Sequence, residues 1–210
     1  DEKDYVLVSS NDRRAAYPDI YKLNIISARK IVLHRNPGKI VGWFTDWDGQ
    51  VIGGFYQDKL EQGFMMLDAE TGEWEEITRT RYDAPSWTPA LITGDGVHGY
   101  VTSNLTPEGE PRDKAALYRY NFETRKMGEL VYEHPVVDCC AVGTTRKTKD
   151  MISISYMVGK PEIVYMDERW KSIMEGINQA LPDTRNVMTS MDHEETIGVI
   201  VASSSTQPAT

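Results

Sequence analysis

The sequence predicts an all-β fold: a partial β-propeller of about four blades, each a four-stranded antiparallel sheet, with one short helix near 169–181. The first observation is a recurring phrase, in which a strand leads into a turn begun by Asn or Asp and a second strand follows. The turn residues are Asn24, Asp68 and Asn121, with a degraded fourth copy at Asp167. They lie 44, 53 and 46 positions apart, and a period of about 40–50 residues made of short strands is typical of propeller blades.

The second observation is a pair of strands joined by a tight turn. In its first copy, Val41–Asp46 and Gln50–Tyr56 flank the dipeptide Asp48-Gly49. Asp-Gly between strand-forming residues is a strong hairpin signal, because glycine tolerates the positive φ of a tight turn. Later copies span 87–103, 136–157 and 186–202. One strand pair of each kind makes a repeat of four antiparallel strands.

The two patterns divide 1–210, predicted to be a single partial propeller segment, into blades. In chain order these are a blade remnant 1–35 with strands 4–9, 19–25 and 28–34; a blade 40–78 with strands 40–46, 50–57, 63–68 and 73–78; a blade 87–132 with strands 87–92, 97–103, 115–121 and 126–132; a blade 136–181 with strands 136–142, 151–157 and 161–167; and a blade start 186–203 with strands 186–191 and 196–203.

The third blade departs from the four-strand rule. Apolar residues at 170, 173, 174, 177 and 181 have helical spacing, and Pro182 ends the pattern. A helix is therefore predicted to replace the fourth strand and to cover an otherwise open edge. Two longer loops are predicted at 58–63 and 104–114, the second an exposed and mobile excursion because it is polar and rich in Pro and Gly.

Composition limits the function classes. A net charge of −9 and a pI near 5.0 argue against a nucleic-acid surface, and no apolar run approaches the roughly 18 residues of a membrane helix. Cys139 and Cys140 are adjacent within the apolar run 136–142, so we expect buried small side chains and not a disulfide. The compartment is not predicted. Because the chain opens at Asp1 and closes just after a predicted strand, we expect an excised segment of a longer protein.

No catalytic, cofactor-binding or metal-binding residue is predicted, and no cofactor. The sequence has no G-x-S-x-G nucleophile motif, and its four histidines have no metal-ligand spacing: His34, His98, His134 and His193. Asp46–Gly49 could begin a calcium loop but lacks the later acidic ligands, so the hairpin interpretation is favoured. Gly53-Gly54 indicates close strand packing. The five tryptophans could stack a ligand, but core packing is favoured: Trp43, Trp47, Trp74, Trp87 and Trp170.

The order of these phrases resembles the propeller region of the prolyl oligopeptidase family, the S9 serine peptidases. The matching stretches are Asp19–Asn24, Asn36–Trp43, Asp46–Val51, Leu67–Trp74, and Thr102–Leu105 with Ala116–Arg119. The resemblance covers about residues 4 to 203, and the helix before Leu181-Pro182 resembles a bacterial branch of the family. It implies a parent enzyme in which a propeller of seven or eight blades covers a hydrolase domain. That domain, with its Ser, Asp and His, is absent from these 210 residues, so no triad member can be assigned.

Three functions follow as hypotheses. The favoured one is a non-catalytic propeller segment of an S9-type peptidase, which gates or filters peptide access to a hydrolase domain of the parent chain. The alternative is a stand-alone propeller-type scaffold that binds proteins or peptides, as many repeat proteins do. An independent enzyme with its site in the propeller channel is disfavoured, because no acid, base or metal cluster is visible. We also expect self-association, since the incomplete first and last units would otherwise leave apolar faces in water.

Overall fold

Sixteen strands and one helix form the described part of the chain, residues 3–206 of this computed structural model. The strands are β1 Tyr5–Ser10, β2 Asp19–Asn24, β3 Lys30–His34, β4 Ile40–Thr45, β5 Val51–Asp58, β6 Glu61–Leu67, β7 Trp74–Arg81, β8 Trp87–Ile92, β9 His98–Leu105, β10 Pro111–Asn121, β11 Lys126–Tyr132, β12 Ala141–Thr144, β13 Met151–Val158, β14 Lys160–Tyr165, β15 Arg185–Met191 and β16 Gly198–Ser203; the helix α1 is Glu168–Ala180. The outermost positions of the predicted segment, 1–2 and 207–210, lie outside the described residues.

Strands that follow one another in the chain pair in the sheets. Two sheets have four strands, β4-β5-β6-β7 and β8-β9-β10-β11; two have three, β1-β2-β3 and β12-β13-β14; and β15 pairs with β16. Neighbouring strands such as β1 and β2, β4 and β5, β6 and β7, and β12 and β13 are antiparallel, as hairpin connections require. The predicted fold class, built on four-stranded antiparallel sheets, is therefore confirmed.

The recurring turn has one geometry in its three clear copies. The side-chain oxygen of Asn24, Asp68 or Asn121 accepts the backbone amide three residues later, at distances of 2.7, 2.8 and 2.7 Å. In each copy, the residue four positions after this Asn or Asp has a left-handed backbone conformation. These residues are Ala28, Gly72 and Arg125, with φ of 57°, 73° and 58°. Asn and Asp favour such turns because a short polar side chain satisfies the backbone locally.

The helix α1 begins where its sequence provides a cap. The side chain of Asp167 accepts the amide of Trp170 at 3.0 Å, and the first turn contains Glu168, as suits a helix N-terminus. Trp170 and Met174, 3% and 2% exposed, form its buried face. The helix follows β14 and packs on β14 and β15, so the predicted replacement of a fourth strand is confirmed. At 13 residues it is too short to cross a membrane, and residues 3–206 contain no other candidate span.

The chain divides into two compact units. Unit 1 comprises 1–88 and 103–111, and unit 2 comprises 89–102 and 112–210. In unit 1, Ile40, Tyr56 and Met65 form a buried cluster on which Trp43 and Trp74 pack. In unit 2 the core contains Tyr100, Val101, Leu117, Tyr118 and Ile154, each at most 2% exposed. Core packing was favoured for the tryptophans, and Trp43, Trp74 and Trp170 do pack in cores.

Three sequence predictions about local structure were wrong. The strand expected at 136–142 begins later, as Ala141–Thr144. Residues 136 and 137 belong instead to a turn, in which their amides donate to the imidazole of His134. The loop expected at 58–63 is a two-residue connection in which Asp58 pairs with Glu61. The loop expected at 104–114 is mostly strand, since β10 begins at Pro111. Proline is tolerated there because the first residue of a strand need not donate to the ladder.

The strand placement expected for the two cysteines was also wrong. Cys139 and Cys140 lie before β12 and not within a strand. Their Sγ atoms are in contact, and the peptide bond that joins the two residues is cis. Cys139 is 4% exposed.

Candidate functional site

Two buried carboxylates, Asp19 and Glu195, are candidates for a functional site, because an ionised group inside a protein often marks one. Asp19, at the start of β2, is 1% exposed. It accepts hydrogen bonds from Nε and Nη2 of Arg13 at 2.7 and 2.6 Å and from the amide of Asn36 at 2.8 Å. The hydrogen bonds from Arg13, opposed by burial and reinforced by the Asn36 amide, lower the pKa of Asp19 to about 2.

Asn36 extends this network into the backbone. Its side-chain nitrogen donates to the carbonyls of Pro18 and Ile40 at 2.9 and 2.7 Å, and its side-chain oxygen accepts the amides of Gly38 and Ile40. The indole of Trp43 also donates to Pro18, at 3.1 Å. Because the polar groups of Asp19 and Asn36 are engaged by neighbouring chain segments, this cluster joins β2 to β4 and is structural.

Glu195 is the buried carboxylate of unit 2. Its side chain is 1% exposed and lies in the turn between β15 and β16. It accepts hydrogen bonds from Oγ1 of Thr145 and from Nη1 of Arg169, the latter at 2.6 Å. Burial acts to raise the pKa of Glu195, but the hydrogen bonds from Thr145 and Arg169 outweigh it and the pKa is lowered. This carboxylate connects β12, α1 and the β15–β16 turn, again as a structural element.

The histidines lie in different settings. His98 Nδ1 is 2.6 Å from the Asp95 carboxylate in an exposed turn, and burial lowers the pKa of His34. None of the histidines within residues 3–206 hydrogen-bonds a serine or cysteine. That described range also contains no group of three or more His, Cys, Asp or Glu side chains able to hold a metal ion.

Asp46 shows why the calcium-loop interpretation does not apply. Its carboxylate accepts the amides of Asp48 and Gln50 at 2.9 and 2.8 Å, and Gly49 has φ of 80°. These are the contacts of the tight hairpin turn between β4 and β5. Oδ1 of Asp46 is therefore engaged by backbone amides of its own turn.

The candidate ligand surface is an aromatic cluster of unit 2 that we call the Tyr132–Tyr156 platform: Tyr132, His134 and Tyr156. The rings of Tyr132 and Tyr156 are stacked, with centroids 5.9 Å apart and planes 18° apart. The ring of His134 lies 4.7 Å from that of Tyr156. All three side chains are half-buried, so part of each ring faces solvent. Tyrosine and histidine in this arrangement offer flat apolar faces with polar rims.

Two hydrogen-bond patterns hold the platform. His134 Nδ1 accepts the amides of Val136 and Val137, each at 3.2 Å, so its neutral ring has the proton on Nε2. A hydrogen bond with Tyr156, together with burial, raises the pKa of Tyr132 to about 12. The phenol of Tyr132 is therefore neutral at physiological pH. The platform can stack on or cover a planar or apolar group.

Charged and apolar groups border the platform along the chain. Glu133, between Tyr132 and His134, forms an ion pair with Arg112, and Arg112 Nη1 donates to the hydroxyl of Tyr118 at 2.8 Å. Val136, two residues after His134, is 64% exposed. Sequence reasoning did not identify this cluster, because it considered the tryptophans as stacking residues and Tyr156 comes from another strand, 24 positions after Tyr132.

Comparison with known proteins places these features in context. No protein-family model matches the chain. Its sequence is similar to dipeptidyl aminopeptidase BIII of Pseudoxanthomonas mexicana, with 26% identity over 178 residues. The match covers 84% of this chain and 24% of that protein. The chain thus spans about a quarter of the length of the curated relative it matches.

Solved structures give a second comparison. TolB from Acinetobacter baumannii has a TM-score of 0.53 and 16% identity, over 78% of this chain and 38% of that one. An oligogalacturonate lyase from Vibrio parahaemolyticus has a TM-score of 0.46 and 14% identity, over 95% and 56%. The TolB likeness concerns the fold alone and agrees with the propeller predicted from the sequence. The chain is therefore a β-propeller-type protein with weak sequence homology to an S9-type dipeptidyl aminopeptidase.

Proposed function

We propose that this chain is a non-catalytic propeller part of an S9-type serine peptidase, and that it gates or filters the access of peptides to a hydrolase domain elsewhere in the parent protein. The observation that supports this most is the match to a dipeptidyl aminopeptidase, which extends over 178 residues of a chain built of antiparallel sheets. The 210 residues contain no G-x-S-x-G motif, which such a hydrolase domain needs.

The Tyr132–Tyr156 platform is the surface that suits this role. Its half-buried rings can contact peptide side chains by apolar and stacking interactions, while the ion pair of Arg112 with Glu133 keeps the neighbouring charges matched. A filter needs such contacts and needs no reacting group. The peptides themselves, and the hydrolase domain as a partner, are part of the proposal.

The first test concerns catalysis by the isolated chain. Residues 1–210, incubated with chromogenic dipeptide amides, are expected to release no chromophore above the buffer rate. They are also expected to incorporate no serine-directed fluorophosphonate probe. Turnover that co-purifies with the chain and is blocked by that probe would overturn the non-catalytic assignment.

The second test concerns the filter and uses the full-length polypeptide that contains this chain. The measured quantity is kcat/KM for a dipeptide amide divided by kcat/KM for a peptide several times longer. Tyr156→Ala is expected to change this ratio by about tenfold, which corresponds to the loss of roughly 1.4 kcal/mol of contact energy. The kcat for the dipeptide should stay the same. Tyr82→Ala, which removes a tyrosine that is 60% exposed in unit 1, is the matched control. An unchanged ratio in the Tyr156 variant would exclude the platform as the filter.

The alternative is a stand-alone propeller-type scaffold that binds proteins or peptides, supported by the repeat pattern of the strands, which many binding proteins share. The sequence of the full-length polypeptide that contains this chain distinguishes the two functions. A hydrolase domain with a G-x-S-x-G motif in the same polypeptide supports the peptidase, whereas a complete polypeptide without one supports the scaffold.

A further inference from the structure

Two of the hairpin turns contain the dipeptide Asp-Gly. Asp48-Gly49 lies between β4 and β5, and Asp95-Gly96 lies between β8 and β9; the sequence has no other Asp-Gly and no Asn-Gly pair. Both aspartates are exposed, and the two glycines have φ of 80° and 72°. In each turn the glycine amide donates to the carbonyl three residues before it. The two dipeptides therefore share one turn geometry and differ only in the groups around them.

An Asp-Gly pair can react with itself. The backbone nitrogen of the glycine attacks Cγ of the aspartate; the amide proton and the side-chain hydroxyl leave as water, and a five-membered succinimide forms. Water then opens the ring. When it adds at the carbonyl that belonged to the backbone, the chain continues through the side chain as isoaspartate, with no net change in mass. Glycine permits the attack because, without a Cβ, its nitrogen can be approached closely. The aspartate carboxyl group must be free to rotate towards that nitrogen.

The carboxylate of Asp48 meets this condition. Within residues 3–206 its side chain takes part in no hydrogen bond or ion pair, and only its backbone amide is engaged. The turn is held by the neighbouring carboxylate of Asp46, which accepts the amides of Asp48 and Gln50. The nitrogen that would attack is also loosely held, since the amide of Gly49 lies 3.3 Å from the carbonyl oxygen of Asp46, longer than the usual distance of about 2.9–3.0 Å. Rotation of the Asp48 side chain therefore breaks no contact.

The carboxylate of Asp95 is held at both oxygens. Oδ1 accepts hydrogen bonds from Oγ1 of Thr93 at 2.7 Å and from the amides of Val97 and His98 at 3.0 and 2.9 Å. Oδ2 lies 2.6 Å from Nδ1 of His98. The hydrogen bonds from His98 lower the pKa of Asp95, which keeps the group in its charged form, and a charged oxygen cannot leave as water. The amide of Gly96 is 3.0 Å from the carbonyl oxygen of Thr93, so the attacking nitrogen is held as well.

We propose that Asp48-Gly49 is a site of spontaneous modification, at which the folded chain forms succinimide and then isoaspartate, and that the contacts of Thr93 and His98 protect Asp95 from the same reaction. The only reagent is water. Isoaspartate adds one methylene to the backbone of the β4–β5 turn and leaves the former α-carboxylate as a side group. A Cβ on Gly49 would lie 3.3 Å from Cδ1 of Leu7, so the lengthened turn must shift against a side chain of β1.

The experiment incubates the intact chain at neutral pH and body temperature for several weeks and then digests it with trypsin. Peptides 40–59 and 82–112 contain the two sites, and electron-transfer fragmentation distinguishes isoaspartate from aspartate at each. Isoaspartate is expected to accumulate at Asp48 at least about tenfold faster than at Asp95, since the carboxylate of Asp95 must first lose at least one charge-assisted hydrogen bond. A synthetic peptide 40–59, incubated in parallel, gives the rate of the same sequence without the fold.

Variants test each half of the proposal. Asp48→Glu should give no such product, because the ring would need six members and forms far more slowly. Asp48→Asn should react faster than wild type, because its uncharged amide is a better electrophile, and the loss of ammonia is read as a change in mass. Thr93→Val combined with His98→Ala removes two of the contacts of Asp95 and should raise the rate at that site towards the rate at Asp48.

Equal rates at the two sites of wild type would overturn the proposal. So would a folded chain that forms no isoaspartate at Asp48 over the time in which the synthetic peptide does, because the turn would then protect the site. An unchanged rate at Asp95 in the folded double variant would overturn the protective role of Thr93 and His98. If circular dichroism shows that the double variant is unfolded, the comparison of wild type with the peptide still decides the question. None of these results depends on the peptidase proposal.

Discussion

At the scale of single residues, stability depends on polar side chains that serve several backbone positions at once. Asp19 and Asn36 show this most clearly, since together they bind Arg13 and the chain at Pro18 and Ile40. A buried carboxylate is costly unless it is paired and hydrogen-bonded. Arg13 and the amide of Asn36 meet that condition for Asp19, so its ionised form belongs to the folded state.

We expect an acid-sensitive contribution to stability from Asp19. Hydrogen bonds from Arg13 lower the pKa of Asp19 from its ordinary value of 3.8 to about 2 in the fold, so the stabilisation is present above pH 4 and is lost as the pH falls towards 2. The difference corresponds to about 2 kcal/mol of unfolding free energy. Urea titrations at pH 5, 4, 3 and 2 measure it. Asp19→Asn should be less stable at pH 5 and should lack this component.

Other carboxylates also titrate in this range, so the comparison needs an exposed control. Asp83→Asn removes a carboxylate whose side chain is 50% exposed and which pairs with Arg81, and it should leave the acid dependence almost as in wild type. Parallel pH profiles for wild type and Asp19→Asn would show that Asp19 is not the group responsible.

At the scale of elements, strand pairs were predicted well because their turns are specified locally. Asn24, Asp68 and Asn121 bind backbone within the same turn, so a short stretch of sequence contains the relevant information. The region 135–140 was predicted wrongly because the imidazole of His134 accepts the amides of Val136 and Val137 and so stabilises a turn there. The hydrophobic pattern of the sequence does not indicate such a contact. The platform was missed for a related reason, since Tyr132 and Tyr156 meet only through tertiary packing.

Two glycines provide a matched test of packing within elements. A Cβ on Gly63, in β6, would overlap the carbonyl oxygen of Thr78 and lie 2.7 Å from the ring of Tyr56, whereas a Cβ on Gly176, in α1, would meet nothing within 4 Å. Gly63→Ala should lower the free energy of unfolding by about 2 kcal/mol or more through overpacking. Gly176→Ala should raise it by roughly 0.5–1 kcal/mol through helix propensity. Chemical denaturation measures both.

Equal effects of the two substitutions would contradict this account of β6. Gly72→Ala is a third variant for comparison, because its Cβ would also meet nothing but its φ is 73°. It tests the cost of the left-handed conformation alone, which is about 1 kcal/mol per residue.

At the scale of the whole molecule, the fold class could be predicted from the repeat, but the division into two compact units could not. The repeat concerns strands, whereas the units depend on how side chains from different sheets pack. The first unit also contains residues 103–111, most of which lie in the loop predicted at 104–114. No sequence pattern indicated that this stretch belongs with 1–88.

The interrupted boundary of unit 1 has a consequence for synthesis. Translation proceeds at about 5–20 residues per second, and the ribosome must release residue 111 before unit 1 has all its parts. By then residues 89–102, which belong to the other unit, are already outside the exit tunnel. The nascent polypeptide therefore cannot finish one half before the other has begun, and a truncation after residue 88 would leave the amino-terminal half without one of its segments.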